Sequence, residues 1–379
     1  MFLLINSVLL LIISIFWPRF NFNSKIMVRT IIYIWLIFSF SFFYFNGMDW
    51  AIYFGKFKSN EEAFSSFEPG FVIFFKILLF FSSENFGLTI VYFYSIAFGI
   101  LLSSLSKYKA NEPFFIAILI IVCGHTLILE QLRQFLACLI VFPSIIEYQK
   151  NSSLKKLSFR VIFAALFHAS ALILLPVILL CRIKKQHLFI LSSILSVLFI
   201  IILLINGHHL LFTLGDLNFI FIKLSYYLEK NPITIQMGWQ NLFTLTFIVT
   251  YILTSEELEA NDNKLFLRII FVGATILTFS GMVLFFNRFS FYFIFIIIYL
   301  ASSHNHTYGK NKKSQRAKKI IIFSYFSLFV SLNFLSYFRN DLAPIKFDNL
   351  DLHFFELFDD NYLQIHSEII LSKQVVGNK

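Results

Sequence analysis

Between two almost wholly apolar stretches, Pro113–Leu129 and Phe135–Ile146, the chain carries Glu130-Gln131-Leu132-Arg133-Gln134. An acid, a base and two amides thus stand at the seam of two membrane-type helices. Ionisable side chains at membrane depth are costly unless they face a protein-lined or watery space, so they mark working sites. His168, between Phe167 and Ala169, and the pair Asn287-Arg288 sit in similar apolar surroundings, while Asp49, Tyr53 and Glu68 follow the second apolar stretch. Arg133 and Arg288 have the clearest chemistry. A planar guanidinium stays charged and grips phosphate oxygens with two parallel hydrogen bonds, so two of them facing one space suit a diphosphate or another polyanion.

Each residue also has a quieter reading. Arg288, alone at a helix end, can snorkel to lipid headgroups. Arg133 can pair with Glu130, three residues earlier, on one helical face. His168 can hydrogen-bond a broken helix, and Asp49 and Glu68 can be solvated loop acids. His208-His209 reads as interfacial rather than as a metal site.

The elements that must position these groups follow from composition. Of 379 residues, 58% are hydrophobic and 14% charged, and Phe occurs 53 times, which excludes a soluble globular domain and predicts an all-α, polytopic membrane protein. The net charge of +10 does not imply nucleic acid, because the basic residues lie in short loops between apolar spans, as the positive-inside rule places them. Cys123, Cys138 and Cys181 are scattered in apolar runs without metal or redox spacing. Met1–Trp17 lacks the features of a cleaved signal and reads as a first span.

Runs of suitable length predict about ten crossings: Met1–Trp17, Met27–Phe45, Leu88–Leu105, Pro113–Leu129, Phe135–Tyr148, Leu188–Asn206, Trp239–Thr254, Leu265–Phe286, Phe289–Ser303 and Ile320–Phe338. Phe71–Ser83 is short and carries Lys76. Leu157–Cys181 has Lys155 and Lys156 before it with Arg160 in its first turn, and Arg182, Lys184 and Lys185 after it. One crossing would export a basic cluster, so two half-length helices turning back near His168 are expected. With both stretches re-entrant, both termini lie outside and His304–Lys319 anchors the cytoplasmic side. One transmembrane domain then spans 1–338, with external segments 46–70 and 207–238. The second of these reads as an interfacial amphipathic helix, and an acidic, external amphipathic tail covers 339–379. All the singled-out polar residues fall on the external side.

Taken in order, Gly47-Met48-Asp49 with Tyr53, Glu68-Pro69-Gly70-Phe71, Leu132-Arg133-Gln134 with Ala137, Phe167-His168-Ala169-Ser170-Ala171, and Asn287-Arg288 with Tyr292 resemble the EpsG-like, Wzy-type polysaccharide polymerases over roughly residues 27–300. Asn46, not an arginine, stands immediately before Gly47, a departure from the family's first motif. The resemblance implies a GT-C-like glycosyltransferase of the bacterial inner membrane. Such an enzyme joins undecaprenyl-diphosphate-linked oligosaccharide repeat units on the periplasmic face, for O-antigen, capsule or exopolysaccharide, with membrane lipid and a chain-length regulator protein as further partners. It implies no nucleotide sugar, no cofactor and no metal.

Within that resemblance, Arg133 and Arg288 stabilise the departing lipid diphosphate. His168, Asp49 or Glu68 takes the proton of the acceptor hydroxyl. Gln134, Glu130, Tyr53, Asn287 and Tyr292 hold sugar or phosphate. The rival readings are an O-antigen ligase, which uses the same donor, and a lipid-linked oligosaccharide flippase. A ligase is expected to carry one large external loop between late spans, and a flippase two related halves of full spans; neither pattern is present.

Overall fold

The computed structural model describes residues 2–46, 49–58, 67–151, 153–206, 239–254, 264–279, 286–303, 320 and 358–377. Helices run α1 Phe2–Phe16, α2 Phe22–Phe43, α3 Asp49–Lys58, α4 Pro69–Phe81, α5 Phe86–Lys107, α6 Glu112–Cys123, α7 Leu132–Asn151, α8 Leu154–Ala165, α9 Leu174–Cys181, α10 Gln186–Asn206, α11 Trp239–Leu253, α12 Lys264–Thr278, α13 Phe286–Ser302 and α14 Asp360–Gly377. No strand occurs among the described residues, and one apolar core runs through the bundle. Three helical stretches there are each long and apolar enough to cross a membrane: α2, α5 and Glu112–Leu129. The expected interfacial helix at 207–238, the anchor loop 304–319 and nearly all of the last span, 320–338, lie outside the described residues.

Polar contacts sort the helix ends into two groups. At one, Arg29 grips Glu112 with bonds of 2.7 and 2.6 Å, Lys107 meets Glu147 at 3.0 Å, and Arg160 pairs with Glu147. Asn111 Nδ2 donates to Ser14 O, and Asn111 N to Ser302 O. This is the basic end. Arg133 lies 14 residues before Glu147 on α7, about 21 Å away at 1.5 Å per residue, and marks the opposite, site end. The first external segment, expected as a loop, contains the helix α3.

The stretch around His168 does break and return. Arg160 ties α8 to the basic end, while Leu166 and His168 reach the site end. At the far side of the turn, Cys181 O and Ile183 O accept Arg268 Nη1 at 2.9 and 2.5 Å, back at the basic end. Arg268 was not singled out in the sequence, where it sits in an apolar run. It is 1% exposed and stacks 4.6 Å from Phe189, closing the orphan carbonyls at the end of α9. Its partners account for its burial structurally. One expected boundary is corrected: the span drawn as Leu265–Phe286 ends at Thr278, where Phe279 N turns to Ile276 O, and Phe286 opens α13.

The turn itself is made by two helix ends that satisfy each other. A helix start leaves N–H groups without partners and a helix finish leaves carbonyls. Pro69 opens α4 and has no N–H to lose. The next two amides, of Gly70 and Phe71, both donate to Leu166 O just past α8, at 2.9 and 3.3 Å. Such closeness requires glycine. A Cβ on Gly70 would lie 2.7 Å from Leu166 Cβ and 2.8 Å from Leu166 O, whereas a Cβ on Gly55 in α3 meets nothing within 4 Å. Gly70→Val should therefore cost about 2 kcal/mol through steric displacement, and Gly55→Ala should be neutral or stabilising by up to about 1 kcal/mol. Thermal unfolding in detergent would distinguish them: equal midpoints for the two variants would remove this docking from the fold.

Candidate functional site

Arg133, one residue inside α7, points back across the site end. Its Nη1 donates to Glu68 Oε2 at 2.5 Å and its Nε to the Tyr53 hydroxyl at 3.3 Å. The guanidinium lies 4.7 Å over the Phe67 ring, which stacks on Tyr53 at 5.1 Å. Arg133 and Glu68 are 19% and 11% exposed, so the pair is largely desolvated and its geometry matters. Among the described residues no acceptor bonds Nη2.

Glu68 holds the N-cap position of α4 but does not cap it. One oxygen takes Arg133, and the other faces Ala169 N at 3.5 Å, on the His168 turn. The carboxylate thus joins α7, α4 and the α8–α9 turn. The Glu130–Arg133 pairing that their spacing allowed does not occur. The stretch Gly124–Leu129 is π-helical, so Glu130 sits before α7 begins rather than one turn back on its face. Glu130 Oε2 instead accepts Asp49 N at 2.8 Å. Its Oε1 lies 3.5 Å from His125 Nε2, within ion-pair range for a protonated ring but without hydrogen-bond geometry. His125 escaped the sequence reading, although a histidine five residues ahead of Glu130 in an apolar run was the available signal.

Asp49 opens α3, where the helix dipole favours a charged acid. Burial, then the neighbouring Glu130 charge, outweigh the opposing pull of Arg133 and Arg288, and its carboxyl rises to about 6. These four charged groups therefore share one electrostatic neighbourhood. Gln134, fully buried on α7, donates through Nε2 to Arg288 O and fixes the start of α13. The side chain of Asn287 lies outside the described residues.

His168 is extended (φ −155°, ψ 116°) and caps the short turn Ala169–Ile173. Ser170 N points at Nδ1 from 3.3 Å, and the Ser170 hydroxyl lies 2.6 Å from the same atom. A backbone N–H can only donate, so Nδ1 is the accepting nitrogen and the neutral ring carries its proton on Nε2. Ser170 Oγ also meets Tyr292 OH at 2.9 Å. His168 and Tyr292 thus form one chain of polar contacts beside the Arg133–Glu68 pair, joined to it through Ala169. Among the described residues, no group of three His, Cys, Asp or Glu is placed to hold a metal ion.

Comparison with known proteins adds one finding. The model of the EpsG family matches residues 26–345. The chain belongs to the EpsG family. No curated protein and no solved structure matches it. As an EpsG-family chain with apolar helices long enough to cross a bilayer, it is a polysaccharide-polymerase-like integral membrane protein. The matched region contains every residue named in this subsection.

Because the Arg133–Glu68 pair is desolvated, removing one partner strands the other. Glu68→Ala should destabilise by about 3 kcal/mol or more, and the double variant Glu68→Ala/Arg133→Met should recover most of that loss. Unfolding midpoints of the singles and the double would decide it; strictly additive losses would show that the two side chains do not depend on each other.

Proposed function

We propose that this protein is a glycosyltransferase that polymerises undecaprenyl-diphosphate-linked oligosaccharide repeat units at the periplasmic, site end of its bundle in the bacterial inner membrane. The observation that carries this reading is the gathering of Arg133, Arg288, Asp49, Glu68 and Glu130 at one end of an apolar bundle, in a family of polysaccharide-polymerase type. In the transfer, a hydroxyl oxygen of the incoming unit bonds to the anomeric carbon of the growing chain. The anomeric carbon–phosphate oxygen bond breaks, and the lipid diphosphate leaves with the electron pair. The hydroxyl proton passes to a base.

Among the three candidate bases, geometry favours Asp49. Glu68 is already committed to Arg133, and His168 accepts from its own turn through Nδ1. A carboxyl raised to about 6 is a better proton acceptor near neutral pH than an ordinary carboxylate. Arg133 offers Nη2 to a phosphate oxygen, and Arg288 supplies the second positive charge as negative charge develops on the diphosphate. Glu68 and Tyr53 hold Arg133 in place, Gln134 sets Arg288 through its backbone, and His168 with Ser170 and Tyr292 shapes the facing turn.

Asp49 must be ionised to act, so turnover should rise with pH through about 6 and level off above it. Asp49→Asn should abolish polymer while the protein still inserts. Arg133→Lys should keep little activity, since a point charge cannot reproduce the fork, and Arg288→Ala should leave unpolymerised repeat units. A rate that does not vary between pH 5 and 7, or full-length polymer from Asp49→Asn, would remove Asp49 from the chemistry.

A further inference from the structure

The C-terminal helix α14 lies beyond residues 26–345, the part shared with the family, yet it packs on α3, the helix that begins with Asp49. Its inward face is built from rings. His366 lies parallel to Trp50, with centroids 5.8 Å apart and planes 13° from each other. Tyr362 lies parallel to His366 at 6.0 Å and 12°. Leu363 and Ser367 complete this face, both buried, while Ile365 and Ile369 face outward. The start of α14 is pinned as well: Asn85 Nδ2 donates to Phe358 O at 2.8 Å, and Asp360 Oδ1 accepts Phe86 N at 3.3 Å.

Trp50, the far member of the stack, is the residue next to Asp49 and is 1% exposed. A helix of ten residues does not hold itself together alone and depends on packing. On one side α3 has Phe54 against Phe86 and Phe57 against Phe75, at 5.2 and 4.3 Å. On the other it has α14. We infer that α14 is a clamp whose ring stack, Tyr362–His366–Trp50, holds α3 and thereby sets Asp49 against Glu130 and Arg133, with His366 as its positioning residue. The clamp stands on the packing alone; its consequence for turnover rests on the proposed role of Asp49.

Two readouts on the full-length protein separate these. Hydrogen exchange of the α3 amides reports the clamp directly. In His366→Ala they should exchange about tenfold faster, the scale of one lost aromatic pair, and His366→Phe, which keeps a flat ring, should restore wild-type protection. Turnover of a lipid-diphosphate-linked oligosaccharide should fall in His366→Ala through kcat rather than KM and displace the acid limb of the pH profile. If His366→Ala does not fold, Asp360→Ala, which loosens only the start of α14, should raise exchange in the same direction. Unchanged α3 exchange in either variant overturns the clamp. So does a His366→Phe variant as defective as His366→Ala, which would assign the effect to imidazole chemistry. Faster exchange with wild-type turnover and pH limb would uphold the clamp and count against Asp49 as the base.

Discussion

The site end depends on one interaction, the largely desolvated ion pair between Glu68 and Arg133. Neither residue would be tolerated there alone, because an isolated charge taken out of water costs more than the fold gains from burying its neighbours. The pair therefore fixes where three separate parts of the chain must meet: the start of α7, the start of α4 and the turn between α8 and α9, reached through Ala169 N. Tyr53 brings α3 into the same contact and Phe67 floors it. One carboxylate oxygen takes Nη1 and the Tyr53 hydroxyl takes Nε, while among the described residues Nη2 has no acceptor.

Around this pair the fold repeatedly joins loose helix ends to one another. The amides that open α4 meet the carbonyl that follows α8, and Arg268 closes the carbonyls that end α9. Half-length helices are allowed at membrane depth only under this condition, since backbone groups there have no water to turn to. The same breaks carry polar side chains into the bundle. His168 reaches Ser170 and Tyr292 because its backbone is extended rather than helical. Glu130 reaches Asp49 N because a π-helical turn delays α7.

Much of the candidate site's placement was legible in the sequence, and what was missed has a common cause. Charged residues in apolar runs identified Arg133, Glu130 and Arg288, and basic residues flanking Leu157–Cys181 located the break at His168, because both signals are local and energetic. Partnership was less readable. Arg133 pairs with a residue 65 positions away rather than with Glu130 three positions away, since spacing on a helix is informative only where the helix has already begun. Arg268 carried the same local signal, a charge in an apolar run, but only the tertiary structure shows the carbonyls it serves. The docking of α14 on α3 was likewise hidden, because ring stacking between distant helices leaves no periodic trace.

The proposed chemistry is separable from transport and from simple ligation by one reconstitution. Purified protein in liposomes would be given only a lipid-diphosphate-linked oligosaccharide, without nucleotide sugars or a different acceptor. The account predicts a ladder of polymer lengths, with one lipid diphosphate released for each unit added. Intact units appearing across the bilayer without any ladder, or transfer occurring only when a different acceptor is supplied, would contradict it.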